Sequence, residues 1–264
     1  MPISQAGPVA GASGPAAALA RAPRRVLIAS AGVVTLAAWL WVVRGPVPHH
    51  VHLAFLPAHR HHPFDFWAFV FVVAMWQAMM VAMMTPAVVE WLLTFAALTG
   101  RERGARRASG PVAAFAAGYF VIWLGYSLLA AILQTAVERA GFLEVHGRLP
   151  AQAGGAVLIG AGLLYFTPFN RACLSHCRNP LTYFLTKWKN GPRGGFRMGL
   201  MHGAYCVGCC WALMITGFAM GVMNVLWMVF LTLLISVEKL APGGNRIGAA
   251  AAVGMTIWGL VLLF

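Results

Sequence analysis

Residues 64–85 read FDFWAFVFVVAMWQAMMVAMMT. Beyond Asp65 nothing in this run is charged, and its apolar residues neither alternate like a half-buried strand nor pause at a turn. At 1.5 Å per residue it extends about 33 Å, enough to cross the hydrocarbon core of a bilayer as one helix. The whole chain matches it: 264 residues, 60% hydrophobic and 9% charged, with a mean hydropathy of +0.75. A soluble domain is only about half apolar and roughly a quarter charged, so this composition requires lipid around it.

The same pattern recurs at 26–43, 111–137, 152–169, 196–219, 225–237 and 247–264. Nothing alternates like a barrel strand, and backbone groups in lipid must be paired internally, so the expected fold is all-α. We expect a polytopic transmembrane helix bundle of about seven spans, forming a single domain over 26–264; the stretch 225–237 is short for a crossing. Residues 64–98 are too long for one simple crossing, and Pro86 either ends that helix or kinks it. The arm 1–25 is rich in Ala, Gly and Pro and is expected to be disordered. Arg21, Arg24 and Arg25 before 26–43 resemble the start of a signal peptide, but no A-x-A-like site closes the run, which reads as an uncleaved anchor.

A net charge of +13 suggests nucleic acid, yet the basic residues are dispersed between apolar runs rather than gathered on a polar domain. Their distribution is topological. Arg21, Arg24, Arg25, Arg101, Arg103, Arg106, Arg107, Arg171, Arg178, Lys187, Lys189, Arg193, Arg197, Lys239 and Arg246 fall in segments that one side of the bundle would share. Only Arg44, Arg60, Arg139 and Arg148 fall on the other. The positive-inside rule then places the N-terminus in the cytoplasm and the C-terminus outside.

No glycine-rich phosphate loop, nucleophile elbow or carboxylate pair is present, so nothing marks an enzyme. The chemistry rests on sulfur and imidazole. His202, Cys206 and Cys209 fall within an arc of about 60° on the fifth span, and Cys210 widens it to about 100°. Thiolate with imidazole suits Cu(I), Zn(II) or related ions; the plain alternative is that buried cysteines pack as small hydrophobes. Cys173, His176 and Cys177 follow the fourth span at spacings that one helical turn brings together, flanked by Arg171 and Arg178. A reducing cytoplasm favours metal or redox use there over a lasting disulfide, the alternative being incidental cysteines in a surface turn.

Met75, Met79 and Met83 recur at every fourth residue, with Met80 and Met84 in the adjacent row. Thioethers select monovalent copper over zinc, though methionine more often serves as flexible packing. By helical rise Met75 and Cys206 both fall near the midplane. His49, His50, His52, His59, His61 and His62 crowd one outer segment and suit loose capture of a divalent ion, or simply form a solvated loop. Gly195, Gly199 and Gly203, and again Gly217 and Gly221, repeat every fourth residue and permit close helix approach. Glu90, Glu138 and Glu238 lie near span ends, where snorkelling explains them.

Four segments carry a family resemblance: MWQAMMVAMMTP at 75–86, YFTPFNRACLSHCRNP at 165–180, RMGLMHGAYCVGCCWALMITGFAMGVMNVLW at 197–227 and EKLAPGG at 238–244. They resemble a bacterial family of predicted metal-binding integral membrane proteins that carry a domain of unknown function. The resemblance covers the chain from about residue 64 onward and implies a multi-pass protein of the bacterial cytoplasmic (inner) membrane. It also implies a soft-metal site at His202, Cys206, Cys209 and Cys210, extended to Cys173 and Cys177.

The expected function is to bind and handle a soft transition metal, copper before zinc, with a metallochaperone or metalloenzyme as partner besides lipid. Metal captured at the outer histidines would pass Met75, Met79 and Met83 to the midplane thiols, then Cys173 and Cys177, or travel the reverse path. Two other readings stay open: a thiol-disulfide redox enzyme using Cys206 with Cys209, and a metal-free scaffold or assembly partner.

Overall fold

The structure, a computed structural model, describes residues 15–44, 65–103, 108–143 and 148–264. In chain order its helices are α1 (Pro15–Arg44), α2 (Phe66–Arg103), α3 (Ser109–Arg139), α4 (Ala151–Tyr165), α5 (Pro168–Cys177), α6 (Pro180–Lys187), α7 (Gly191–Ile215), α8 (Gly217–Met220), α9 (Val225–Leu240) and α10 (Gly244–Leu263). The fold is all-α, and the described part of each expected apolar stretch falls on one helix or, at 152–169 and 196–219, on two. α1 begins within the arm expected to be disordered.

Among the described residues five stretches are long and apolar enough to cross a membrane: Arg24–Arg44, Phe66–Gly100, Ser109–Arg139, Gly191–Met220 and Gly244–Leu263. α4 and α5 qualify together but bend by 68° at their junction. The bend has a local cause, since Pro168 at the start of α5 has no N–H with which to continue the α4 ladder. Thr167 restarts the helix, its hydroxyl accepting from the Asn170 backbone N–H at 3.3 Å. α9 has 16 residues and is short for a full crossing; Asn224 caps it by accepting from the Trp227 N–H at 3.1 Å.

Between the two readings of Pro86 the structure decides for continuity. α2 runs through it for 38 residues, about 57 Å of helix, its start capped by Asp65, whose carboxylate accepts from the Trp67 N–H at 2.9 Å. Glu90 sits on its exposed side.

α3 with α7 forms the most extensive helix pair, and glycine is the reason. A Cβ at Gly199 would press on the Phe115 backbone, 2.9 Å from its carbonyl carbon, and one at Gly203 would meet the Tyr119 carbonyl at 3.0 Å. Gly118 on α3 reciprocates against Phe196 and Leu200. The expected close approach along Gly195, Gly199 and Gly203 therefore holds. The second expected pair does not: a Cβ at Gly217 would meet nothing within 4 Å, and Gly221 instead takes φ of 99° to end α8. A glycine interface absent from the sequence reading joins α4 to α10, where Gly155 meets the Gly259 carbonyl.

Candidate metal centre

The buried face of α7 packs on α3 through its glycines, and the same face with its flank also meets α5 and the end of α9. On it His202, Cys206, Cys209 and Cys210 are all buried, at 3%, 1%, 7% and 0% exposure, as the helical arc required. Cys173 and Cys177 are buried on α5. The bend at Pro168 lays α5 across α7, and the two cysteine motifs meet. Cys177 Sγ lies 3.8 Å from Cys209 Sγ, and Cys209 Sγ lies 3.4 Å from Cys210 Sγ. All five cysteines are free. Cys173 Sγ stands one turn away, 2.8 Å from where a Cβ of Gly208 would be.

Cys206 is held differently. Its Sγ lies 3.1 Å from the Tyr119 hydroxyl on α3 and accepts from Lys239 Nζ of α9 at 3.0 Å. Lys239 is not the loop charge expected between the last two spans; it is 6% exposed and reaches the thiols. Glu238 is likewise not a snorkelling group, being 2% exposed with its carboxylate against Tyr165 and Gly248. Arg178 donates to the carbonyls of Glu238 and Ala241, the latter at 2.9 Å, and so ties the ends of α5 and α9 together.

The histidines turn to aromatic rings rather than to sulfur. His202 stacks on Trp91 with ring centroids 3.7 Å apart, and His176 stacks on Tyr205 at 3.8 Å. His202 Nδ1 and His176 Nε2 are buried with no hydrogen-bond partner among the described residues. Buried polar atoms are normally satisfied, so these two nitrogens are available to a ligand. Trp91 Nε1 donates to the Cys177 carbonyl at 2.9 Å, which fixes the end of α5 against α2.

Met75, Met79, Met80, Met83 and Met84 are buried in the same core as the thiols. Beside them a polar chain crosses from α2 to α3: Trp76 Nε1 donates to Gln134 at 2.7 Å, and Gln134 donates to Glu138 at 2.8 Å. The outer histidines His49, His50, His52, His59, His61 and His62 lie outside the described residues. A small cleft opens at the α4–α5 bend between Tyr165, Thr167, Asn170 and Trp211 and reaches Cys209.

Sequence reasoning missed Lys239, Tyr119 and Trp91. A lysine on an apolar helical run was the available signal for the first. The two aromatics carried none, because their role depends on which helix lies opposite.

Among the described residues no group of three or more His, Cys, Asp or Glu is disposed to hold a metal ion. Cys206 is engaged by Tyr119 and Lys239, and both imidazoles are stacked on aromatic rings. What remains is pairs of thiols. Metal–sulfur bonds of about 2.3 Å set tetrahedral sulfurs about 3.8 Å apart and linear ones about 4.6 Å apart. The Cys177–Cys209 spacing already falls at the first of these, and a modest side-chain rotation reaches the second.

No curated protein and no solved structure matches the chain. A family model does, over residues 73–262, and its description is the copper chaperone PpoB2. That range holds every cysteine, both stacked histidines, Lys239 and the methionine face. The thiols that the fold gathers thus lie inside the matched region, and the chain belongs to the PpoB2 copper chaperone family.

Proposed function

We propose that the protein carries Cu(I) as cargo on a pair of thiols drawn from Cys177, Cys206, Cys209 and Cys210, Cys177 with Cys209 first, and passes it to a copper-requiring partner. The observation that carries this is the meeting of Cys177 from α5 with Cys209 from α7 at 3.8 Å. Two sulfurs from different helices suit an ion content with two soft ligands, whereas zinc asks for four. Cys173 at Gly208 and the unpaired nitrogens of His202 and His176 are further donors for exchange. Met75, Met79 and Met83 provide a thioether route toward the thiols.

In the membrane we place seven crossings with the N-terminus in the cytoplasm. α4 with α5 forms one bent crossing, and α9 is a short one whose end stops at the level of Cys206. A cytoplasmic membrane of a bacterial cell fits this topology. A reporter fused after Gly104 should be active only in its cytoplasmic form, and one after His59 only in its outside form; equal signals from both reject the orientation.

For the function itself, the purified protein is titrated with Cu(I) under reducing conditions against a competing chelator, alongside Zn(II). Tight Cu(I) binding with protection of the thiols from alkylation is expected. A folded parent protein whose thiols stay reactive in the presence of Cu(I) overturns the reading.

A further inference from the structure

Lys239 is a buried cation, and a buried cation needs a reason. It closes an apolar helix, is 6% exposed, and touches Cys206 Sγ at 3.0 Å, with Cys177, Cys209 and Cys210 also within its electrostatic reach. The neighbouring charges are one of each sign and offset each other: Glu238, whose buried Oε1 has no hydrogen-bond partner among the described residues, lies within electrostatic reach of both Lys239 and Arg178. Arg178 donates to main-chain carbonyls of Glu238 and Ala241, and the Glu238 carboxylate faces Tyr165 and Gly248. Tyr119 and His202 are the other polar groups at the cluster, the first against Cys206 and the second stacked on Trp91.

A charge count follows. Cu(I) between two thiolates makes a complex of charge −1. One ammonium beside it brings the buried total to zero, and a buried charge left uncompensated is strongly unfavourable. A divalent ion between the same two thiolates is neutral, so the same ammonium would leave an excess of +1. Resting on the reading that the thiols hold Cu(I), we propose that Lys239 is a specificity-determining residue: its ammonium is the counter-ion that selects a monovalent metal for a two-thiolate site.

The test separates charge from structure by using three soft ions that all accept two thiolates, Cu(I), Ag(I) and Hg(II). Lys239→Met is close in volume and removes only the charge. It should weaken Cu(I) and Ag(I) by about a hundredfold, in line with breaking a buried ion pair, while Hg(II) is unchanged or tighter. Lys239→Arg should restore monovalent binding, and Lys239→Gln gives the same pattern as methionine should the methionine variant fail to fold. Equal weakening of all three ions means a structural lysine and overturns the inference, as does unchanged Cu(I) binding. A parent protein that holds no Cu(I) fails the function reading and this inference with it; a parent that holds Cu(I) while Lys239→Met does so equally fails this inference alone.

Discussion

The molecule buries sulfur in two places and treats it in two ways. Met75, Met79 and Met83 stand along one face of α2, a row that helical periodicity alone produces. Cys177, Cys209 and Cys210 come from two helices and stand within 3.8 Å and 3.4 Å of one another, with Lys239 of a third helix against Cys206. A row shares a helix face; a cluster shares contacts. Thioethers are uncharged and need no partner, so they pack freely, whereas metal-binding thiolates require charge compensation, and the lysine sits where it is required.

The sharpest way to break this contrast is to remove the cluster. Cys206→Ser with Cys209→Ser should reduce Cu(I) to background, a loss of more than about a hundredfold given that hydroxyls are poor ligands for soft ions. Copper stoichiometry of the folded double variant checks it, and retained copper would assign cargo to the row instead.

Next in size is the contact that aims the cluster. Gly199→Ala places a methyl on the Phe115 backbone and should cost about 1–3 kcal/mol as α3 and α7 separate. Thermal unfolding in detergent should drop by about 2–4 °C for each kcal/mol. Cu(I) affinity should fall with it, while the same change at Gly217, where a Cβ meets nothing within 4 Å, should leave both unaltered.

A smaller effect is expected at His202. Replacement by Phe keeps the stacking on Trp91 and removes the unpaired Nδ1, so stability should hold and Cu(I) should weaken by less than about tenfold, roughly one neutral ligand interaction. Chelator competition checks it; a loss as large as that of the cysteine variant would move the imidazole into the resting site.

Smallest should be the row. Met75, Met79 and Met83 changed together to Leu keep volume, so equilibrium Cu(I) affinity should shift by less than about threefold, with uptake into vesicles slowed. Zn(II) binding serves as the control, since thioether is a poor zinc ligand. A selective collapse of Cu(I) affinity would instead make thioethers part of the cluster.

Much of this was legible in the sequence because it is one-dimensional. Hydropathy marked the longer helices by their runs of apolar side chains, though not α5 or α6, and a spacing of three and four residues put His202, Cys206 and Cys209 on one buried face. Gly195, Gly199 and Gly203 announced a close helix partner for the same reason. The course of α2 through Pro86 was not legible, because neighbouring helices decide whether a freed carbonyl is tolerated.

Which groups meet was decided only in three dimensions. The bend at Pro168 turns α5 onto α7 and brings Cys177 to Cys209, residues 32 apart in the chain. α9 stops short, so that Lys239 ends beside Cys206 rather than in a loop. Aromatic packing stacks His202 on Trp91, so that the ring its spacing had grouped with the thiols is held by an aromatic partner. Helical periodicity states which side chains share a face, but the partner of that face is chosen by packing between helices, and it is the partner that makes sulfur a site.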